Sequence, residues 1–78
     1  MKVFKSSSKS KAVVVLKNID MIRRSSHRNF RAEPQEEYPQ IIVYIKGKEH
    51  NLTYGDGEEY TRDQEYYALT KALEELHA

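Results

Sequence analysis

The chain has 78 residues, with thirteen Lys and Arg against twelve Asp and Glu, 38% hydrophobic residues, six tyrosines and no cysteine. That length makes one domain, 1–78, near the size below which a single core needs reinforcement, and without cysteine neither disulfides nor a thiolate-held metal can supply it. The longest apolar run, Ala12 to Leu16, is far short of a membrane span and no leader-like segment opens the chain, so the expectation is a cytoplasmic protein without membrane contact.

Lys2 to Lys5 reads as a short first strand. Ser6 to Lys11, SSSKSK, has too little apolar surface to offset its ordering entropy, so residues 6–11 are expected to form a flexible loop. Ala12 to Lys17 is β-branched and almost continuously apolar, the pattern of a central strand covered on both faces. Asn18 to Arg23 continues extended, which puts Ile19 and Ile22 on opposite faces. Residues 24–39, RSSHRNFRAEPQEEYP, hold neither helical nor strand period and contain two prolines, so they read as a long connection, functional or mobile.

Gln40 to Tyr54 is the one long stretch where strand alternation and turn chemistry agree. A type II′ turn at Gly47-Lys48 pairs Lys46 with Glu49, Ile45 with His50, Val43 with Leu52 and Ile41 with Tyr54. One face then carries Ile41, Val43, Ile45, Leu52 and Tyr54 as core. The other carries Ile42, Tyr44, Asn51 and Thr53, and Ile42 and Tyr44 make it too apolar for a plain solvent face. Gly55-Asp56-Gly57 is a turn, Thr61 to Gln64 a capping box, and Tyr66, Leu69, Leu73 and Leu76 form one stripe of a helix reaching about Leu76. The fold class is α+β: a small antiparallel sheet of three to four strands with a single C-terminal helix packed on one face.

The net charge of +1 hides an asymmetry. Residues 1–39 carry nine Lys and Arg against four acids, a balance of +5, and residues 40–78 carry four against eight, a balance of −4. Such a dipole marks a basic binding face or a head-to-tail self-complementary surface, unless both ends are simply solvated. The basic part centres on Arg23, Arg24, His27, Arg28 and Arg31 around Phe30. Arginine forks bind phosphates bidentately and an aromatic ring among them offers a stacking face, so these six residues are the candidate anion or partner site. No catalytic set is assigned: Ser25-Ser26-His27 lies in a polar segment with no third group fixed by spacing. No metal site or cofactor is expected either. His27, His50 and His77 are far apart, and Asp56, Glu58, Glu59 and Asp63 miss the calcium-loop spacing. His50 reads as a cap on the core beside the hairpin turn.

Val13 to Ile22, Ile41 to Ile45, the Gly47-Lys48 turn and the helix from Tyr66 to Leu76 follow one another in an order that resembles small bacterial proteins of the flagellar FlbD-like kind, and more distantly the second half of bacterial PH-like domains. The resemblance implies a non-enzymatic interaction module and transfers no site residues, and the insert 24–39 departs from it. The reading is therefore a small non-enzymatic binding protein that self-associates through Ile42 and Tyr44. It would bind a macromolecular partner, in the manner of a regulatory protein or of a phage or mobile-element product acting on a host factor. The alternative is a nucleic-acid or nucleotide-phosphate binder that uses the basic stretch 23–31.

Overall fold

The alternating stretch from Gln40 does fold as an antiparallel hairpin, in a computed structural model that describes residues 2–29, 31 and 36–77. The elements in order are β1 (Val3–Lys5), β2 (Val13–Val15), a 3₁₀ turn (Leu16–Asn18), β3 (Ile19–Asn29), β4 (Glu36–Ile45), β5 (Lys48–Thr53) and α1 (Glu59–Leu76). β1 and β2 make a two-stranded antiparallel ribbon, and β3, β4 and β5 an antiparallel sheet with β4 in the middle. The class is α+β with one C-terminal helix, as expected, but the strands divide between two sheets.

The hairpin turn is Lys46-Gly47, one residue earlier than glycine placement alone predicts. Both residues have positive φ, 53° and 79°, as a type I′ turn requires, and this pairs Ile45 with Lys48, Val43 with His50 and Ile41 with Leu52. Moving the turn by one residue slides the partner strand by two, so every side chain keeps its face. Ile41, Val43, Leu52 and Tyr54 are buried together, while His50 is exposed and does not cap the core. Lysine at a left-handed position is strained, whereas asparagine adopts it readily. Lys46→Asn is therefore expected to stabilise by about 0.5–1 kcal/mol; a lower melting temperature in calorimetry would refute the turn type.

Residues 24–39 are mostly not a connection. β3 runs through Asn29 and pairs with β4 from Glu36 onward, with Arg24 opposite Ile41, Ser26 opposite Pro39, His27 opposite Tyr38 and Arg28 opposite Glu37. The basic start and acidic end of this stretch are thus cross-strand neighbours, which is how so polar a sequence holds a ladder. Pro39 sits in the central strand and is buried, yet it costs β3 nothing. Its carbonyl accepts from the Tyr54 N–H at 2.8 Å, so its backbone faces the β5 side, and the missing donor falls just past the last β4–β5 pair, Gln40 with Thr53. β3 and β4 outrun β5, and the molecule is long, 45 × 24 × 17 Å.

The chain before β3 and the start of β3 also depart from the sequence pattern. Ala12 to Lys17 is not a central strand: only Val14 of β2 is buried, Val13 is 57% exposed, and Leu16 enters the core from the 3₁₀ turn. Ile19 and Ile22 do not oppose each other. A bulge at Asp20 shifts the register between Ile19 and Met21, and the extra residue returns both isoleucines to the face of Val43 and Ile45.

Residues 6–11 are anchored rather than flexible. Ser6 and Ser8 are buried, the Ser6 N–H donates to Ala12 O at 2.8 Å, and the Lys9 N–H donates to Thr53 O on the outer edge of β5 at 2.8 Å. The Tyr54 hydroxyl donates to Glu65 at 2.9 Å, so with its only proton committed it accepts from Ser6 Oγ at 3.3 Å, and Ser6 Oγ accepts from the Ser8 N–H at 2.9 Å. Glu65 also takes the Ser7 N–H at 2.9 Å and the Ser7 hydroxyl. A local composition of serine and lysine cannot reveal such anchoring, because Thr53 O, the Tyr54 hydroxyl and the Glu65 carboxylate come from far along the chain.

The helix begins a turn earlier than its capping box suggested. Glu58 is the N-cap, its carbonyl accepts from the Arg62 N–H at 3.0 Å, and its carboxylate accepts from the Gly55 N–H at 3.0 Å, which leaves Thr61 inside the first turn. The expected stripe faces the sheet, with Leu69 fully buried against Ile41, Val43, Leu52 and Tyr54, and Tyr66, Ala72, Leu73 and Leu76 packed around it.

Candidate interaction surface

Strand alternation separates the basic residues that the sequence groups together. Arg24 and Arg28 lie on the helix side of β3, opposite Ile41 and Glu37, whereas Arg23 and His27 lie on the other side, opposite Ile42 and Tyr38. Arg31 is exposed and holds a contact of its own, and Phe30 lies outside the described residues.

Each described arginine of β3 is engaged at the surface. Arg23 donates to the Tyr44 hydroxyl at 3.2 Å, and Tyr44 donates on to Glu49 at 3.2 Å. That hydrogen bond is the main reason the Arg23 pKa is raised. Arg24 lies 3.5 Å from Asp63 and over the Tyr66 ring at 5.3 Å, with side chains of the ion pair 58% and 44% exposed. Arg28 lies 3.5 Å from Glu37, again well exposed. Ion pairs so open to water contribute at most about 1 kcal/mol each and exchange partners readily. Arg62 is different: its side chain is only 14% exposed, and it donates to Asp63 and to the Ser25 carbonyl, both at 2.7 Å, and to the Gln40 carbonyl at 3.5 Å, riveting helix to sheet.

The expected oligomer face loses its motive. Ile42 is 6% exposed within a single chain and Tyr44 is half-buried with its hydroxyl engaged, so neither needs a second copy for cover. This side of the sheet sets the exposed Met21 among polar and aromatic side chains, with Lys9 Nζ 4.1 Å over the Tyr38 ring and Gln40 bonded to Thr53 at 3.1 Å. Tyr38 also donates to Glu36, which raises its pKa.

Two features lay outside the sequence reading. A shallow groove of about 360 Å³ runs between β3 and α1, lined by Ile22, Tyr66, Thr70, Leu73, Glu74 and His77. Tyr66 and Leu73 were legible as a helical stripe, but the bulge that turns Ile22 toward them was not. A cleft of about 620 Å³ lies between β2 and β5, its lining including Ala12, Val14, Leu52, Asn18, Glu49 and Asn51. Among the described residues no cluster of three His, Asp or Glu is placed to hold a metal, and no helix is long and apolar enough to cross a membrane.

Comparison with family models, with curated proteins and with solved structures finds no match to this chain.

Proposed function

We propose that this chain is a non-enzymatic interaction protein that presents the β3 edge and the groove beside it to a macromolecular partner. The observation that carries the reading is the juxtaposition itself: a strand of eleven residues at the edge of its sheet, flanked along α1 by the apolar groove of Ile22, Tyr66 and Leu73. An edge of that length is a template for another chain, and a neighbouring groove adds side-chain selectivity to the backbone pairing.

The alternative, a nucleic-acid or nucleotide-phosphate binder, has one observation in its favour. Tyr38, Tyr44, Arg23, His27 and Lys9 share the sheet face turned away from the helix, and aromatics among cations form a stacking platform. Glu36 and Glu49 are bonded to those same tyrosines and offset the cations, so the protein-binding reading is preferred.

Selection of displayed random octapeptides on the wild-type protein, with an Arg24→Glu/Arg28→Glu variant as counter-target, tests the proposal. Enrichment of peptides that need the wild-type edge is expected. Failure to enrich any such peptide, with retention of an oligonucleotide whose affinity falls log-linearly with salt, would give the alternative the stronger claim.

A further inference from the structure

We infer that the β3 edge takes an extended acidic peptide segment of a partner protein as an added antiparallel strand, with one apolar side chain seated in the groove beside Ile22. This rests on the proposed interaction function and names the chemistry of the partner.

The outward backbone groups of β3 follow from one hydrogen bond. Because the Pro39 carbonyl faces Tyr54 on the β5 side, the backbone of Gln40 faces β3, and that of its partner Ser25 faces β4. Arg62 reaches the Ser25 and Gln40 carbonyls together, as it must if both oxygens lie between the two strands. The alternate residues Ile22, Arg24, Ser26 and Arg28 therefore turn their N–H and C=O groups outward, and among the described residues no strand pairs with them.

Charge decides the occupant. From Ile22 to Arg28 the strand itself carries Arg23, Arg24 and Arg28 and no acid, and the carboxylates that reach Arg24 and Arg28, those of Asp63 and Glu37, come from α1 and β4. A second copy paired along the same edge would set Arg24 against Arg24 when centred there, or Arg24 against Arg28 when centred on Ser26. It would set Arg23 against itself, or against His27, in the neighbouring registers. Two arginines directly opposed are destabilising, so the registers centred on Arg23, Arg24 and Ser26 are disfavoured for a second copy, whereas an acidic strand meets a cation at Arg23, Arg24 and Arg28. The Arg24–Asp63 and Arg28–Glu37 pairs are long and exposed enough to admit a further carboxylate.

The register is specific. Read from its N-terminus, an antiparallel peptide meets Arg28, then Ser26, then Arg24 and Arg23, then Ile22, which asks for an acid, three free positions, two acids and an apolar residue. The heptapeptide Glu-Thr-Val-Thr-Glu-Glu-Leu, acetylated and amidated, is the probe, titrated into ¹⁵N-labelled protein at low salt. Amide shifts and slowed exchange are expected at Ile22, Arg24, Ser26 and Arg28, with shifts at Tyr66, Leu73 and His77. Replacing the three glutamates by glutamine is expected to weaken binding at least about tenfold, and methylating the backbone nitrogens that meet Arg24 and Ser26 to abolish it.

Ser26→Pro removes one outward donor while leaving the β3–β4 ladder whole, so the melting temperature should hold and affinity fall about tenfold or more. If that variant unfolds, the N-methylated peptide decides alone. Unimpaired binding of the N-methylated peptide, shifts confined to the face of Tyr38 and Tyr44, or no binding at millimolar peptide overturns the inference. Oligothymidylate shifting the same edge while the peptide does not would overturn it too. Displayed octapeptides that need the wild-type edge but carry no acids would overturn it while leaving the interaction function standing.

Discussion

Leu69→Ala is expected to destabilise the protein by about 2–5 kcal/mol, a large part of the total stability of a domain this small. Leu69 is fully buried on the side of α1 that meets β4, in one core cluster with Ile41, Val43, Leu52 and Tyr54, which are themselves 2% exposed or less. A neighbourhood that rigid cannot close over the missing methyl groups, so the cost of the cavity adds to the lost transfer free energy. Urea denaturation followed by circular dichroism measures it. A change under about 0.5 kcal/mol would mean that the helix does not pack where Leu69 places it.

Replacing Tyr54 has a comparable effect, with a pH signature. Tyr54→Ala is expected to cost about 3–5 kcal/mol, since the ring is fully buried, whereas Tyr54→Phe keeps the ring and loses only the hydroxyl bonds to Ser6 and Glu65, about 1–3 kcal/mol at neutral pH. Burial pushes the Tyr54 pKa up to about 12, assisted by the bond to Glu65 and opposed by the one from Ser6. In the unfolded chain the group titrates near 10. The folded form therefore holds its proton more tightly, and this contribution is complete below about pH 10 and lost as pH rises from about 10 to about 12. The stability gap between wild type and Tyr54→Phe should shrink across that window. A gap that stays constant to pH 12 would show that the hydroxyl is not held protonated by the fold.

The legible parts of the fold are those whose signal is local and periodic. The alternation in Ile41 to Ile45 and the stripe Tyr66, Leu69, Leu73 and Leu76 state their faces directly, and even a turn misplaced by one residue left those faces intact. The β3–β4 ladder was hidden because its residues are arginine, serine, glutamate and proline, which are strand-forming here only through each other. Arg28 stands directly across from Glu37, and Pro39 is tolerated because of where its missing donor points. The candidate site was half legible. Its arginines stood out by type, but their partition between two faces needed the strand, and the common face of Ile19 and Ile22 needed the bulge at Asp20.

The serine-rich loop has a consequence in time as well as in space. Ser7 and its acceptor Glu65 are 58 residues apart, so closing that contact costs more chain entropy than almost any other in the molecule, and on the ribosome it must wait until the helix has been made. The sheet and helix supply the framework first, and the loop latches onto it afterwards. A contact formed so late should leave the folding rate nearly untouched and instead slow escape from the native state, with a φ-value near zero at Ser7 as its signature.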